Sequence, residues 1–266
     1  MLKYPEINPV ILHITDQLQV RWYGVMYLVG FLCCWFILRH KTKRFPGWET
    51  NDRVSDLIFY NAIGVILGGR LGYILFYSLP AVLNDPSVVF RIWEGGMSFH
   101  GGLLGVLVAT WIFARKFQYP LLMLGDLMAP CVPLALMFGR IGNFINGELW
   151  GKVTEVPWGM VFPHVGPLPR HPSQLYAVFL EGILLFVVLM IFSKKPRKIG
   201  SVTGLFLLLY GLVRIFEELF RQPDPQYGYL AWGWLTMGQV LSVPMVIIGL
   251  IFLVRSRKAK LIEQVV

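Results

Sequence analysis

Four polar side chains stand close together in GRIGNFINGELWG, residues 139–151, within a chain that is otherwise mostly apolar. Arg140 supplies a guanidinium, Asn143 and Asn146 supply amides, and Glu148 supplies a carboxylate. A guanidinium can grip a phosphate or carboxylate through two parallel hydrogen bonds, which an ammonium cannot do. The segment therefore predicts chemistry on an anion, with the amides and the carboxylate orienting the guanidinium and its ligand.

Glycines stand at positions 139, 142, 147 and 151 of the same segment. We expect them to break helical order where the chain reaches the outer leaflet of a membrane. Irregular backbone at that depth persists only when it is buried in protein or lines a polar cavity. The segment is therefore expected to line a pocket for a phosphorylated headgroup.

A second polar set lies in LLLYGLVRIFEELFRQPD, where Tyr210, Arg214, Glu218 and Arg221 recur at steps of four, four and three. This spacing places the four side chains on one face of a helix. Two readings stay open. The set is either an internal salt-bridge ladder that locks helix packing, or Glu218 orients Arg214 so that Arg214 reaches a ligand.

Two single polar residues lie in or beside other apolar runs. Arg70 interrupts GVILGGRLGYILF, where an unpaired charge costs at least about 2.5 kcal/mol, so something must compensate it and we count it as a candidate substrate ligand. His100 is flanked by glycines in GGMSFHGG. Histidine is most often a structural hydrogen bonder, but imidazole also exchanges protons near neutral pH, so His100 is the candidate proton carrier.

Other catalytic patterns are missing from the sequence. No histidine pair has zincin spacing, and neither GxSxG nor GxxxxGK[ST] occurs, so metal hydrolysis, serine catalysis and nucleotide-driven transport lack their usual residues. Cys33, Cys34 and Cys131 have neither metal-site nor disulfide-framework spacing and are read as small apolar filler. We expect no metal and no cofactor.

The apolar runs predict an all-α, polytopic membrane protein. Of 266 residues, 56% are hydrophobic and 15% charged, and several apolar runs reach the ~20 residues needed to cross a bilayer. Without a linker or repeat, residues 1–266 are expected to form a single membrane domain, a bundle of about seven helices with a small external segment at about 139–172. The predicted spans are 21–38, 56–77, 96–114, 121–138, 173–192, 202–220 and 236–254.

Charge placement predicts the orientation. The net charge of +9 comes largely from basic clusters that follow the first, third, fifth and seventh spans, so all four clusters fall on one side. That side is the cytoplasm by the positive-inside rule, which puts the N-terminus and residues 139–172 outside and the C-terminus inside. Because membrane orientation accounts for the clusters, we expect no nucleic-acid partner. The first cluster consists of Arg39, Lys41, Lys43 and Arg44.

With these residues in place, the sequence resembles the prolipoprotein diacylglyceryl transferase family of the bacterial inner membrane. The family pattern Gly-Arg-x-Gly/Ala-Asn-Phe-x-Asn-x-Glu-x-x-Gly is met from Gly139 to Gly151. One departure is Ala177, where the family commonly has glutamate after HPSQLY, which puts a secondary polar contact in doubt. Further family-like pieces span most of the chain: WYGVMY, GGRLGY, GGMSFHGG, GDLMAP, RHPSQLY and YGLVRIFEELFRQPD.

The resemblance implies a multi-pass inner-membrane enzyme that begins lipoprotein maturation. It would transfer the diacylglyceryl group of phosphatidylglycerol to the lipobox cysteine thiol of a preprolipoprotein, forming a thioether and releasing glycerol 1-phosphate. We assign Arg140 and Arg214 to the phosphate and His100 to proton transfer, although a phosphate oxygen could accept the proton instead. The residues that the resemblance marks are Tyr23, His100, Arg140, Asn143, Glu148, Gly151, Tyr210, Arg214 and Glu218.

Two rival functions remain open at this point. A transporter or flippase for an anionic lipid would also use intramembrane arginines and broken helices, although the predicted spans show no inverted repeat. A lipid phosphatase or headgroup transferase would direct water or an alcohol, rather than a thiol, at the same phosphate.

Overall fold

The computed structural model describes residues 2–15, 19–43, 45, 48, 52–91, 95–223 and 228–264. Arg44, part of the first basic cluster, lies outside them. Helices dominate this part of the chain. They are α1 (Trp22–Thr42), α2 (Arg53–Tyr77), α3 (Leu79–Asn84), α4 (Phe99–Phe117), α5 (Leu121–Met128), α6 (Val132–Ile145), α7 (Ser173–Ala177), α8 (Leu185–Phe192), α9 (Ser201–Glu217) and α10 (Met237–Ser256).

Shorter elements connect these helices. A π-helical turn, Val178–Leu184, joins α7 to α8, and 3₁₀ turns cover Pro86–Phe90 and Ile262–Gln264. Strand β1 (Leu2–Lys3) pairs in parallel with β4 (Met160–Val161), and β2 (Val10–His13) pairs with β3 (Gln19–Arg21). The prediction of an all-α membrane protein is therefore confirmed in its coarse form.

Helices lie at all seven predicted span positions, but the count of seven spans is not confirmed. Within the described residues, four helical segments are long and apolar enough to cross a bilayer: Trp22–Thr42, Arg53–Tyr77, Ser173–Phe192 and Met237–Ser256. Helices α5 and α6, bent by 53°, would make a fifth span if taken together. Helix α9 has only 17 residues and carries Arg214 and Glu217. The residues that suggest chemistry therefore also lower the hydropathy by which a membrane span is recognised.

The chain divides into two compact units. The first unit comprises Met1–Ile11, Arg21–Cys34 and Gly125–Val265, and the second comprises Leu12–Val20 and Trp35–Leu124. In the second unit, α2 and α4 pack on glycines, with Gly64, Gly68 and Gly72 facing Gly101 and Gly105. Without Cβ atoms the two backbones approach closely, as in other membrane helix pairs built on small residues. A hydrogen bond from Thr110 Oγ1 to Asn61 Oδ1, 2.9 Å long, joins the same pair.

In the first unit, buried polar side chains fix the ends of two helices. Asp126 accepts hydrogen bonds from the backbone N–H groups of Gly200 (2.6 Å) and Thr203 (2.7 Å) and so caps the start of α9. The Tyr4 hydroxyl lies 2.6 Å from Phe144 O and 2.9 Å from Ile145 O, at the end of α6. Tyr4 also packs with Met160 and Phe162, so the β1–β4 pair holds the end of α6 in place.

The glycine packing in the second unit predicts a large effect for Gly105→Ala. A Cβ at Gly105 would lie 1.9 Å from the carbonyl oxygen of Gly64, so the helices must separate. We expect a loss of about 2 kcal/mol or more in the free energy of unfolding, because overpacking against backbone cannot relax through a side chain. Thermal unfolding in detergent measures this loss.

Gly102→Ala on the same helix is the matched control. There the nearest heavy atom, Val65 O, is 3.7 Å from the added Cβ, which is ordinary contact. Since alanine also favours helix more than glycine, this variant should be neutral or slightly more stable. Equal stability of the two variants would contradict the close packing of α2 on α4.

Candidate functional site

The first half of the segment 139–151 is helical, which corrects the expectation that its glycines all break the helix. Helix α6 continues through Gly139 and Gly142 and ends at Ile145. A Cβ at Gly142 would lie 2.7 Å from Tyr23 Cδ2, so this glycine admits the tyrosine of α1 rather than interrupting α6. Irregular backbone begins beyond the helix, where Gly147 has a φ of +67°.

Glu148 receives the two amides of the segment. Its Oε1 accepts from Asn143 Nδ2 at 2.8 Å and from Asn146 Nδ2 at 3.2 Å. The Tyr23 hydroxyl interacts with the buried Asn143 side chain and lies 3.4 Å from the Tyr27 hydroxyl. The two amides therefore orient the Glu148 carboxylate and keep it in position.

The start of α7 holds the backbone that follows α6. Gln174 Nε2 donates to Glu148 O at 2.6 Å, and Ser173 Oγ donates to Leu149 O at 2.8 Å. Both side chains are buried. Two hydrogen bonds from one helix start thus fix the segment that carries Glu148.

Gly151 is required by close backbone contact. Its N–H donates to His171 O at 2.9 Å, and it pairs in antiparallel fashion with Arg221. A Cβ would lie 2.5 Å from His171 O and 2.7 Å from Phe220 O. Gly151 therefore brings the end of the segment against the chain that follows α9.

His171 lies next to this contact, outside the predicted spans. Its Nδ1 is 3.0 Å from the Tyr176 hydroxyl, which also accepts a hydrogen bond from Trp158 Nε1 at 2.8 Å. Burial, and secondarily the nearby Lys152 ammonium, lower the pKa of His171. The imidazole therefore stays neutral more readily, and Nδ1 can accept from Tyr176.

Arg140 forms its ion pair with Glu181, rather than with the residues of its own segment. The Nε atom of Arg140 is 3.1 Å from Oε2 of Glu181, whose side chain is fully buried. Asn143 and Glu148 were expected to orient Arg140, but they contact each other instead. Among the described residues, neither Nη group of Arg140 has a protein hydrogen-bond partner, so both are available to a ligand.

Arg214 contacts three carboxylates. Its Nε lies 3.7 Å from Glu181 Oε1, its Nη1 lies 3.1 Å from Glu217 Oε2, and its Nη2 pairs with Glu218. Tyr210, one helical turn earlier, is buried beside this group and stacks on Phe206 with centroids 5.6 Å apart. Every nitrogen of Arg214 is paired, which supports the salt-bridge ladder. Each Nη group still has a second N–H, which supports ligand binding by Arg214. Both interpretations therefore remain open.

The ladder continues past the end of α9. The helix ends at Glu217, so Glu218 and Arg221 are not part of one continuous helical face as the spacing predicted. They still form an ion pair, with Arg221 Nη1 3.3 Å from Glu218 Oε1. Glu218 Oε2 also accepts from Thr236 Oγ1 at 2.6 Å, which connects the ladder to the start of α10.

Arg70 has a structural role in the second unit. Its five N–H groups donate to the backbone carbonyls of Val88, Val89, Arg91, Gly95 and Gly96. Carbonyl oxygens therefore use every donor of its side chain, and substrate binding by Arg70 stays a prediction. The arginine holds the backbone that leads from α3 to α4.

His100 also belongs to the second unit. It lies in the first turn of α4, is exposed, and contacts Phe99 edge to face. The Arg140 and Arg214 cluster is assembled from the first unit alone. Proton transfer by His100 therefore stays a prediction.

Sequence reasoning missed two members of the cluster, Glu181 and Glu217. Glu181 is the single acid in the predicted span 173–192, and an ionisable residue in a span marks a functional site by default. Glu217 directly precedes Glu218, and it was missed because it does not belong to the regular spacing of Tyr210, Arg214, Glu218 and Arg221. Both side chains are buried, at 0% and 2% exposed.

Comparison with known proteins finds a family model and relatives that match nearly the whole chain. The family model described as prolipoprotein diacylglyceryl transferase matches residues 9–255. A relative in Legionella pneumophila (strain Lens) is 56% identical over 250 residues, covering 94% of this chain and 97% of its own. One in Pseudomonas aeruginosa (strain LESB58) is 57% identical over 254 residues, covering 96% and 95%. Both relatives are named phosphatidylglycerol–prolipoprotein diacylglyceryl transferase.

The three carboxylates around Arg214 predict a strong effect for Arg214→Ala. The variant leaves buried acids without their common cation, and breaking a buried ion pair costs about 3–5 kcal/mol. We expect the free energy of unfolding to fall by that amount in detergent. Arg39→Ala is the control, because the Arg39–Asp52 pair is 57% and 65% exposed and such pairs contribute less than about 1 kcal/mol. Wild-type stability of Arg214→Ala would contradict a structural role for the cluster.

Proposed function

The chain belongs to the prolipoprotein diacylglyceryl transferase family and transfers a diacylglyceryl group from phosphatidylglycerol to prolipoprotein, and we propose that its buried arginine cluster binds the phosphate that leaves. This reaction is the first step of lipoprotein maturation. The observation that carries the proposal is Arg140, whose Nε is fixed by Glu181 while both Nη groups remain open among the described residues.

The acceptor in this proposal is the thiol of a lipobox cysteine in the preprolipoprotein signal peptide. Its thiolate attacks the glycerol carbon that bears the phosphate ester. The new carbon–sulfur bond is a thioether, the carbon–oxygen bond breaks, and its electron pair leaves with glycerol 1-phosphate. The enzyme must therefore help remove the thiol proton and stabilise charge on the phosphate.

Arg140 is the main phosphate ligand in this proposal. Two parallel Nη donors fit two phosphate oxygens, and hydrogen bonds to a charged acceptor are about twice as strong as neutral ones. Arg214 supplies a second positive charge and the remaining N–H of each Nη group. Tyr210, Glu218 and Arg221 keep Arg214 in position.

The 143–151 segment holds the glycerol headgroup. Glu148, fixed by Asn143 and Asn146, is a strong acceptor for headgroup hydroxyls, and Tyr23 adds a hydroxyl beside Asn143. Gly151 keeps the backbone close enough to complete this wall. His100 takes the thiol proton, or a phosphate oxygen held by Arg140 takes it instead.

The proposed topology keeps seven spans in one domain, with the N-terminus in the periplasm and the C-terminus in the cytoplasm. Basic residues in the last turns of α1, α4 and α10 support this orientation by the positive-inside rule. The segment at about 139–172 then faces the periplasm, where the lipobox of an exported precursor emerges.

The nucleophile prediction is tested by replacing Cys33, Cys34 and Cys131 together by serine. Cys34 and Cys131 are buried, and Cys34 Sγ donates to Cys131 O at 3.6 Å, so neither is placed as a nucleophile. With phosphatidylglycerol and a lipobox peptide, mass spectrometry should detect the thioether adduct at a rate close to wild type. Lost turnover in a folded variant would indicate a covalent enzyme intermediate, and headgroup release without an adduct would favour a phosphatase.

The phosphate role of Arg140 is tested by Arg140→Lys. Lysine keeps the charge but lacks two parallel donors, so kcat should fall about 10²-fold, as for loss of one donor to a developing anion. Single-turnover transfer per folded molecule measures the effect. Arg197→Lys is the control: Arg197 belongs to the same unit but donates to Phe192 O, outside the cluster, and should keep full activity. Full activity of Arg140→Lys would rule out the guanidinium grip.

The orientation is tested by reporter fusions after Lys260 and before Leu2. A cytoplasm-dependent fluorescent reporter should be active at the C-terminal site, and a periplasm-dependent phosphatase should be active at the N-terminal site. The reverse pattern would overturn the orientation and place the 139–172 segment in the cytoplasm.

A further inference from the structure

We propose that Glu181 is the positioning residue of the phosphate site, which turns the Nη edge of Arg140 toward the lipid phosphate. The inference rests on the proposed role of Arg140 as a phosphate ligand. Glu181 itself touches neither the phosphate nor the reacting carbon in this account. It acts through the Arg140 guanidinium group.

The contacts of Glu181 are divided between the two arginines. Oε2 lies 3.1 Å from Nε of Arg140, and Oε1 lies 3.7 Å from Nε of Arg214. The Arg140 contact is a hydrogen bond, whereas the Arg214 contact is a longer ion pair. Because the guanidinium is planar and rigid, fixing Nε of Arg140 also fixes the direction in which its Nη pair projects.

The local fold delivers Glu181 to this position. Residues Val178–Leu184 form a π-helical turn between α7 and α8, and such turns are rare and concentrated at functional sites. Side chains of an α-helix are rotated by ~100° from one residue to the next, and the wider π turn changes this step, so the turn sets the direction of Glu181. Gly182 lets this turn approach α6, where a Cβ would lie 2.6 Å from Met137 Cβ.

Burying the Glu181 carboxylate costs free energy unless the two arginines compensate its charge. The Glu181 side chain is 0% exposed, and its described ion pairs are those with Arg140 and Arg214. A buried carboxylate costs several kcal/mol before pairing. A fully enclosed carboxylate that bonds Nε of Arg140 therefore restricts the orientation of that guanidinium as well as compensating its charge.

The charge of Glu181 and its position can be tested separately. Glu181 contributes a carboxylate that forms ion pairs with Arg140 and Arg214. Glutamine at 181 removes that carboxylate and makes the cluster more positive, which favours an anionic lipid. The same substitution lets the Arg140 guanidinium turn. Binding and turnover should therefore respond in different directions.

The test is Glu181→Gln, assayed with phosphatidylglycerol and a lipobox peptide in mixed micelles, with rates corrected for the folded fraction. We expect kcat to fall at least about tenfold, while KM for phosphatidylglycerol stays the same or falls. Asp126→Asn is the control, since Asp126 is another buried carboxylate of this unit, at 3% exposed, that caps α9 at the end far from Arg214. It should lower thermal stability and leave kcat per folded molecule unchanged.

Glu181→Asp keeps the charge but shortens the side chain by one methylene, and it decides the question if the glutamine variant does not fold. Positioning predicts a reduced kcat with KM near wild type. Wild-type kcat in the folded Glu181 variants, measured beside an inactive Arg140→Lys, would overturn this inference alone. Full activity of Arg140→Lys would instead remove the phosphate role on which the inference rests.

Discussion

The structure of the first unit depends on pairing its buried arginines with buried glutamates. Three arginines and three glutamates lie together on α6, the π-helical turn and the end of α9. None of these side chains is stable in an apolar interior without partners, and each carboxylate contacts at least one guanidinium. The helices that carry them must therefore hold their relative positions closely. Packing and electrostatics thus constrain the same backbone, so the residues that form the site also stabilise the fold.

Glycines matter as much as charged residues for the close contacts of the first unit. Gly142 admits Tyr23, Gly151 admits the backbone after α9, and Gly182 admits α6 against the π turn. Each glycine brings a functional side chain or its support nearer than any residue with a Cβ would permit. Small residues also join α2 to α4 in the second unit, so close helix contact is a common device of this chain.

Sequence reasoning found the residues whose spacing is local. Asn143 with Glu148, and Arg214 with Glu218, lie within a few residues of each other, so their association follows from short-range geometry. Glu181 was missed because its partners lie 41 residues before it and on α9 after it, and because a π turn has no recognised sequence signal. The partners of Arg70 were not identified for a similar reason, since its compensation comes from backbone carbonyls 18 to 26 residues away. The helix positions were predicted. Hydropathy could not settle how many helices cross the membrane, because functional charges lower the mean hydropathy of some of them.

The contact between Tyr4 and the end of α6 bears on the order of assembly during synthesis. Its hydrogen bonds to Phe144 O and Ile145 O span 140 and 141 residues, and β1 pairs with β4 at Met160. Tyr4 must therefore wait until about 140 further residues have been translated before it finds its partners. Individual helices can insert one after another, whereas the site closes only through contacts of high sequence separation, which form late and slowly.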